Sequence, residues 1–196
     1  MVVIASGPSL TDDDCARSRG WPTVVVNDNW RKAPWAAALY ACDAQWWDVH
    51  IAAIRAAGFA GSLWTQATEA ATKYGLNYVA GRHDRAGSLS KEPGVVTFGN
   101  NSGFQAMNLV YHWGARRIVL LGFDCRKGTH GHHWFGDHKP PLGNHNPYSR
   151  WLEFFATLAR DLKAEGVQVL NCSRDTALTC FERARIEDAL PALEPA

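Results

Sequence analysis

Short runs of aliphatic residues recur along the chain, each closed by glycine or by small polar residues. "VVIA" (2–5), "TVVVN" (23–27), "AALYACD" (37–43), "GSLWTQ" (61–66), "VVTF" (95–98), "RRIVLLGFD" (116–124) and "GVQVLNCS" (166–173) share this form. Apolar runs this short, without polar alternation, predict strands buried on both faces, as in parallel sheets. Stretches with a helical period lie between them. Thr11 or Asp12 can cap a short helix reaching to about Arg19, and Asp43 stands before "QWWDVHIAAIRAAG", which stops at Gly58. Asn101 or Ser102 can cap "GFQAMNLVYHWG". From Tyr148 to Glu165, Trp151, Phe154, Phe155, Leu158 and Leu162 form one apolar stripe. A last helix is expected over 181–190, and the weakly periodic, glycine-containing segment 67–93 reads as irregular.

Strands alternating with helices predict an α/β fold: a Rossmann-like, mostly parallel open sheet flanked by helices. No internal repeat or linker divides the chain, so residues 1–196 are expected to form a single nucleotide-binding domain.

Composition narrows the partners. Lys+Arg 20 against Asp+Glu 19 gives no global field for nucleic acid or an anionic membrane. No apolar run reaches the roughly 20 residues of a membrane span, and "MVVIASGPSL" lacks a signal peptide's basic start, so a cytoplasmic protein is expected. Five cysteines without CxxC spacing read as reduced, small hydrophobes.

In open α/β sheets ligands bind beyond the carboxyl ends of the strands, where the strand order turns. Each strand here delivers small or polar residues to that edge: Gly7, Pro8 and Ser9 after the first, Asn27 after the second, and Asp43 after the third. Asn101, Ser102 and Gly103 come after "VVTF", and Asp124 comes after "RRIVLLGF". A glycine turn and a helix start suit a phosphate, while Asn and Asp side chains can read hydroxyls or base edges. The full dinucleotide glycine fingerprint is absent. Asp43 alone reads equally as an ordinary helix cap.

The quoted "VVIASGPSL", "VVVNDNW", "GNNSGFQAMNLVYHWGARRIVLLGFD" and "HHWFGDH" resemble, in order, landmarks of the bacterial family 42 sialyltransferases. They are also similar to the motility-accessory-factor group (domain of unknown function 115), which includes flagellin glycosyltransferase candidates, an archaeal pterin diphosphokinase branch and phage-encoded members. The resemblance implies a CMP-sugar or similar nucleotide held by Gly7, Ser9, Asn27, Ser102 and Gly103, with no obligatory metal. It also implies a histidine base in the late loop. Aligned without a gap, Asp137 takes the base's place and His138 is next to it, so both stand as candidates.

That loop, "THGHHWFGDHKPPLGNHNP" (129–147), holds five of the eight histidines. A loop of this length inside a domain is more often functional than idle. Imidazole titrates near neutrality and suits proton abstraction, which makes His138, Asp137 and His133 the catalytic candidates. A divalent cation on His130, His132, His133, Asp137 and His138 is a rival reading, as is a loop whose histidines are merely solvated. Three functions are compatible with these residues. The first is a nucleotide-sugar-dependent glycosyltransferase, with a CMP-sugar favoured as donor. The second is a metal-dependent diphosphokinase or phosphohydrolase acting on a nucleotide-type substrate. The third is a non-catalytic nucleotide-binding module, and any of them can act as a homo-oligomer.

Overall fold

The computed structural model describes residues 1–192. Eight strands form one sheet in which every paired neighbour is parallel. In chain order, β1 (Val2–Ile4), β2 (Thr23–Val26), β3 (Ala38–Tyr40), β4 (Ser62–Thr65) and β5 (Asn77–Tyr78) step outward in one direction. The chain then returns to the other side of β1 with β8 (Arg117–Leu121), β9 (Gln168–Asn171) and β10 (Glu182–Arg183). Strand order therefore turns between β1 and β8, whose register is Val2↔Val119 through Ile4↔Leu121.

The apolar runs are continuous because both faces of these strands are covered. On β1, Val3 faces one core while Val2 and Ile4 face the other. Val24 and Val26 oppose Val25 on β2, and Ile118 and Leu120 oppose Val119 and Leu121 on β8. Strand geometry alternates side chains between faces, so each strand needs apolar residues at every position. The first core is closed by Phe104, Met107 and Val110 of α4 (Ser102–His112) and by Phe154, Phe155, Leu158 and Leu162 of α5 (Tyr148–Ala164). The second is closed by Cys15 of α1 (Asp12–Ala16), by Trp46, Trp47, Ile51 and Ile54 of α2 (Ala44–Ala56) and by Ala70 of α3 (Thr68–Tyr74).

Helix starts obey local chemistry. Thr11 and Asp14 form a reciprocal capping box on α1. Asn101 caps α4 by accepting the Phe104 amide at 3.0 Å.

Three expectations are corrected. Segment 67–93 is not irregular: it holds α3, closed by left-handed Gly75 (φ 66°), then β5 and β6 (Ala80–Arg82). The helix buries only Ala70 and Ala71, side chains too small to give a hydrophobic period. "VVTF" does form a strand, β7 (Val95–Thr97), but it pairs only with β6 in a separate two-stranded sheet. The place beside β1 is filled by the longer β8, apolar from Ile118 to Leu121. Asn108 of α4 holds the small sheet by accepting the Ser90 and Thr97 amides at 3.0 and 3.1 Å. The expected helix over 181–190 is the edge strand β10 and then the short α6 (Ile186–Ala189). Glu, Arg and Ala favour a helix intrinsically, but pairing of Glu182 and Arg183 with β9 overrides that weak preference. No helix among the described residues is long and apolar enough to cross a membrane.

Candidate functional site

A cleft of about 500 Å³ opens where the strand order turns, beyond the carboxyl ends of β1 and β8. Of the sequence candidates, Gly7, Pro8, Asn27, Asp43, Asn101, Ser102, Gly103, Asp124, His133 and His138 line it. Ser9 and Asp137 do not.

Backbone strain marks the same place. Among the described residues, three other than glycine have left-handed backbone: Asn27 (φ 51°), Asn100 (φ 49°) and Cys125 (φ 47°). They come after β2, β7 and β8, and all three line the cleft. Such residues cost of order 1 kcal/mol each and gather where surrounding structure and function hold them.

The glycine turn after β1 uses its donors internally. The Gly7 amide donates to Gly122 O at 2.8 Å, and the Ser9 amide donates to Asp124 Oδ2 at 2.7 Å. A Cβ at position 7 would lie 2.2 Å from Asp124 Oδ1 and 2.5 Å from Gly122 O. Glycine is required because the chain's own carboxylate and carbonyl press on it. The one amide of the turn that could meet a bound anion, that of Ser9, is already taken by Asp124.

Free donors lie instead across the cleft. The backbone amides of Gly99, Asn100, Asn101, Ser102 and Gly103 have no acceptor among the described residues. Gly99 (φ 54°) and Asn100 are left-handed in succession, which turns the chain sharply from β7 into α4. This run enters the amino end of the 11-residue α4, where the helix dipole also favours negative charge.

Carboxylates face this donor end. Asp43 precedes α2, yet its side chain makes no capping bond and accepts only the Cys42 thiol, at 3.4 Å. It is therefore a cleft group rather than a cap. Asp124 is 1% exposed, and burial pushes its pKa up to about 6. Its Oδ1 is sealed without a hydrogen-bond partner. Asn27 Oδ1 is likewise buried and unpartnered.

The histidine loop forms the opposite wall. His132, His133, His138 and His145 reach the cleft. Burial, and after it the neighbouring His138, depresses His133 to about 4. Burial also lowers His138, against the opposing pull of Asp28 and Asp43. Both rings are thus neutral at pH 7, with centroids 4.8 Å apart. Asp137 serves the loop itself: it accepts the His132 amide at 2.8 Å, and that bond holds its pKa low. Asn144 accepts the His138 amide at 2.7 Å and donates to His138 O at 2.9 Å. The adjacent candidates therefore separate, with His138 facing the cleft and Asp137 bracing the turn. His132 Nδ1 lies 2.8 Å from the Tyr148 hydroxyl, and burial pushes that phenol up to about 12. Among the described residues no three His, Cys, Asp or Glu side chains gather to hold a metal ion.

Two cleft contributors do not stand out in the sequence. Trp151 adds an aromatic wall and donates its indole N–H to Asn100 O at 2.9 Å. Cys125 reads in sequence only as a small hydrophobe. The polar trio Asn27–Asn29, placed straight after an apolar strand, is the signal that could have drawn attention to Asn29. That side chain is fully buried and bridges the ends of β1 and β2. Arg174, a conceivable phosphate ligand, pairs with Asp14 at 2.8 Å instead.

Comparison with family models, characterised proteins and solved structures returned no match for this chain.

Proposed function

We propose that the protein is a nucleotide-dependent glycosyltransferase in which His138 is the general base. The carrying observation is that four free backbone amides, those of Asn100, Asn101, Ser102 and Gly103, and a pair of neutral histidines share one cleft. The amides of residues 100–103 receive the phosphate of a nucleotide-sugar, and α4 contributes its dipole. His138 takes the proton of an acceptor hydroxyl as that oxygen bonds to the sugar's anomeric carbon. The bond from that carbon to the nucleotide phosphate breaks, and the phosphate leaves with the electron pair. Tyr148 keeps its proton at neutral pH and can donate it as a hydrogen bond to the departing phosphate. His133 supports the loop face beside His138. A CMP-sugar is the donor favoured by the resemblance in the sequence.

A second reading, metal-dependent phosphoryl transfer by a diphosphokinase or phosphohydrolase, is favoured by one feature. Asp43 is free of capping and shares the cleft with the donor end, where a divalent cation could join it to a triphosphate.

A thermal-shift screen with CMP, CDP, UDP, GDP, ADP and their triphosphates, each with and without Mn²⁺ or Zn²⁺, separates the two. A ligand at 100 times its Kd adds about 2.7 kcal/mol of stability. Metal-independent stabilisation by a nucleotide, lost when the Gly99–Gly103 turn is altered, supports the transferase. A shift that requires metal and vanishes in Asp43→Ala replaces it with phosphoryl transfer. No shift with any nucleotide removes both.

A further inference from the structure

The histidine loop is fastened to the sheet at one residue. Trp134 donates its backbone N–H to Ser6 O at 3.1 Å and its indole N–H to Asn29 Oδ1 at 2.9 Å. Every other hydrogen bond of residues 128–146 among the described residues stays within the loop or runs to Tyr148. Asn29 is itself immobilised: its Nδ2 donates to Ile4 O at 3.0 Å, Ser6 Oγ at 3.1 Å and Val26 O at 2.8 Å. The Lys32 ammonium lies over the Trp134 ring, 4.3 Å from its centroid. Trp134 also packs against the second core, beside residues that never touch the cleft.

His133 is the residue next to this anchor, and its own amide pairs with Gly136 O at 3.0 Å across the turn that carries Trp134. Phe135, on the other side, stacks on His133 with centroids 4.9 Å apart and meets His138 at 5.1 Å. The placement of both imidazoles therefore descends from where the indole is held.

We propose that Asn29 and Trp134 form a latch that holds the histidine loop closed on the cleft, so that Asn29 is a positioning residue for His133 and His138. This inference rests on the reading of those histidines as reactive groups, but its test needs no turnover.

The readout is the titration midpoint of His133, tracked by NMR of its ring protons. Closed, the ring is buried and resists protonation. The titratable groups facing it are His138, Asp28, His132 and Asp137. If protonation requires the loop to open, each tenfold gain in opening raises the midpoint by about one unit toward the ordinary value near 6.5. Trp134→Phe keeps an aromatic ring and the backbone bond but deletes the indole donor. The expected rise is about half a unit to one unit, corresponding to roughly three- to tenfold easier opening, the scale of one lost hydrogen bond. Trp64→Phe, which loses an indole bond to Ser62 elsewhere, serves as control and leaves the midpoint unmoved. An unchanged midpoint in folded Trp134→Phe overturns the latch.

A measurement on the wild-type chain covers the case in which that variant does not fold. The Trp134 indole proton should exchange with solvent far more slowly than that of Trp113, which is 36% exposed. Equal exchange rates also overturn the latch. Nucleotide thermal shifts report separately on the proposed function: a normal shift with an unmoved midpoint discards the latch alone. Absent shifts with a raised midpoint keep the latch and discard the transferase.

Discussion

A neutral side chain in place of Asp124 should gain stability relative to the wild type as pH rises from acid to alkaline. The carboxyl is 1% exposed, has one oxygen without a partner, and is raised from an ordinary value of 3.8 to about 6. The folded state therefore binds this proton more tightly than the unfolded chain. Stability from this group is present at low pH and is lost as pH rises from about 4 through about 6. A shift of about two units corresponds to about 3 kcal/mol between the extremes, and about 2 kcal/mol of it falls between pH 4.5 and pH 8. In Asp124→Asn the amide oxygen can still accept the Ser9 N–H, and the variant has no charge to lose. The new amide N–H₂ is buried without an acceptor at a cost of about 1–3 kcal/mol, but that cost does not change with pH. The quantity to measure is therefore a double difference: urea unfolding of both proteins at pH 4.5 and at pH 8. The wild type should lose about 2 kcal/mol relative to the variant between those conditions. His133 and the other titrating groups are common to both proteins and cancel. A double difference within 0.5 kcal/mol of zero would refute the argument that this acid is held in its site at the expense of stability.

Three further outcomes are expected from the same geometry. Asn29→Ala removes one acceptor and three donated bonds in a fully buried position, and should lower unfolding free energy by about 3 kcal/mol in urea titrations. Asp43→Ala should cost less than the ~1 kcal/mol of a working cap in urea titrations, because the carboxylate caps nothing. Gly7→Ala places a methyl 2.2 Å from Asp124 Oδ1 and 2.5 Å from a backbone oxygen, so circular dichroism melts should show a loss of at least about 2 kcal/mol. A well-tolerated alanine there would mean that the turn and Asp124 are not in the contact described.

The architecture was legible because its central strands are apolar runs without polar alternation, a pattern that double-sided burial explains. Val2–Ile4, Thr23–Val26 and Arg117–Leu121 lie within the expected runs. Elements with small or charged surfaces were not legible. The segment Thr68–Tyr74 packs through alanine, and Glu182–Arg183 forms a strand only because β9 lies beside it. At the cleft, most candidates are the polar residues at the carboxyl end of a strand, a position set by chain direction and not by side-chain chemistry. Position alone cannot tell which atoms are already satisfied. Ser9 has the place of a phosphate donor, but its amide serves Asp124, a residue 115 positions away. Asp137 and His138 are indistinguishable in sequence, since a one-residue step in a turn reverses which side chain points inward. The polar trio flags Asn29 only by position; its role was not legible because its partners come from three separate stretches of chain.

The separate pairing of β6 with β7 gives this molecule an internal spectroscopic reference. The donor turn at Gly99–Gly103 hangs from a two-stranded flap held through Asn108, outside the hydrogen-bond ladder of the main sheet. If the proposed anion site is right, its filling should alter exchange along residues 80–103 and in α4 while leaving every rung between β10 and β5 unchanged. In amide hydrogen exchange the flap then acts as the reporter, and the eight-stranded ladder of the same chain supplies the silent baseline.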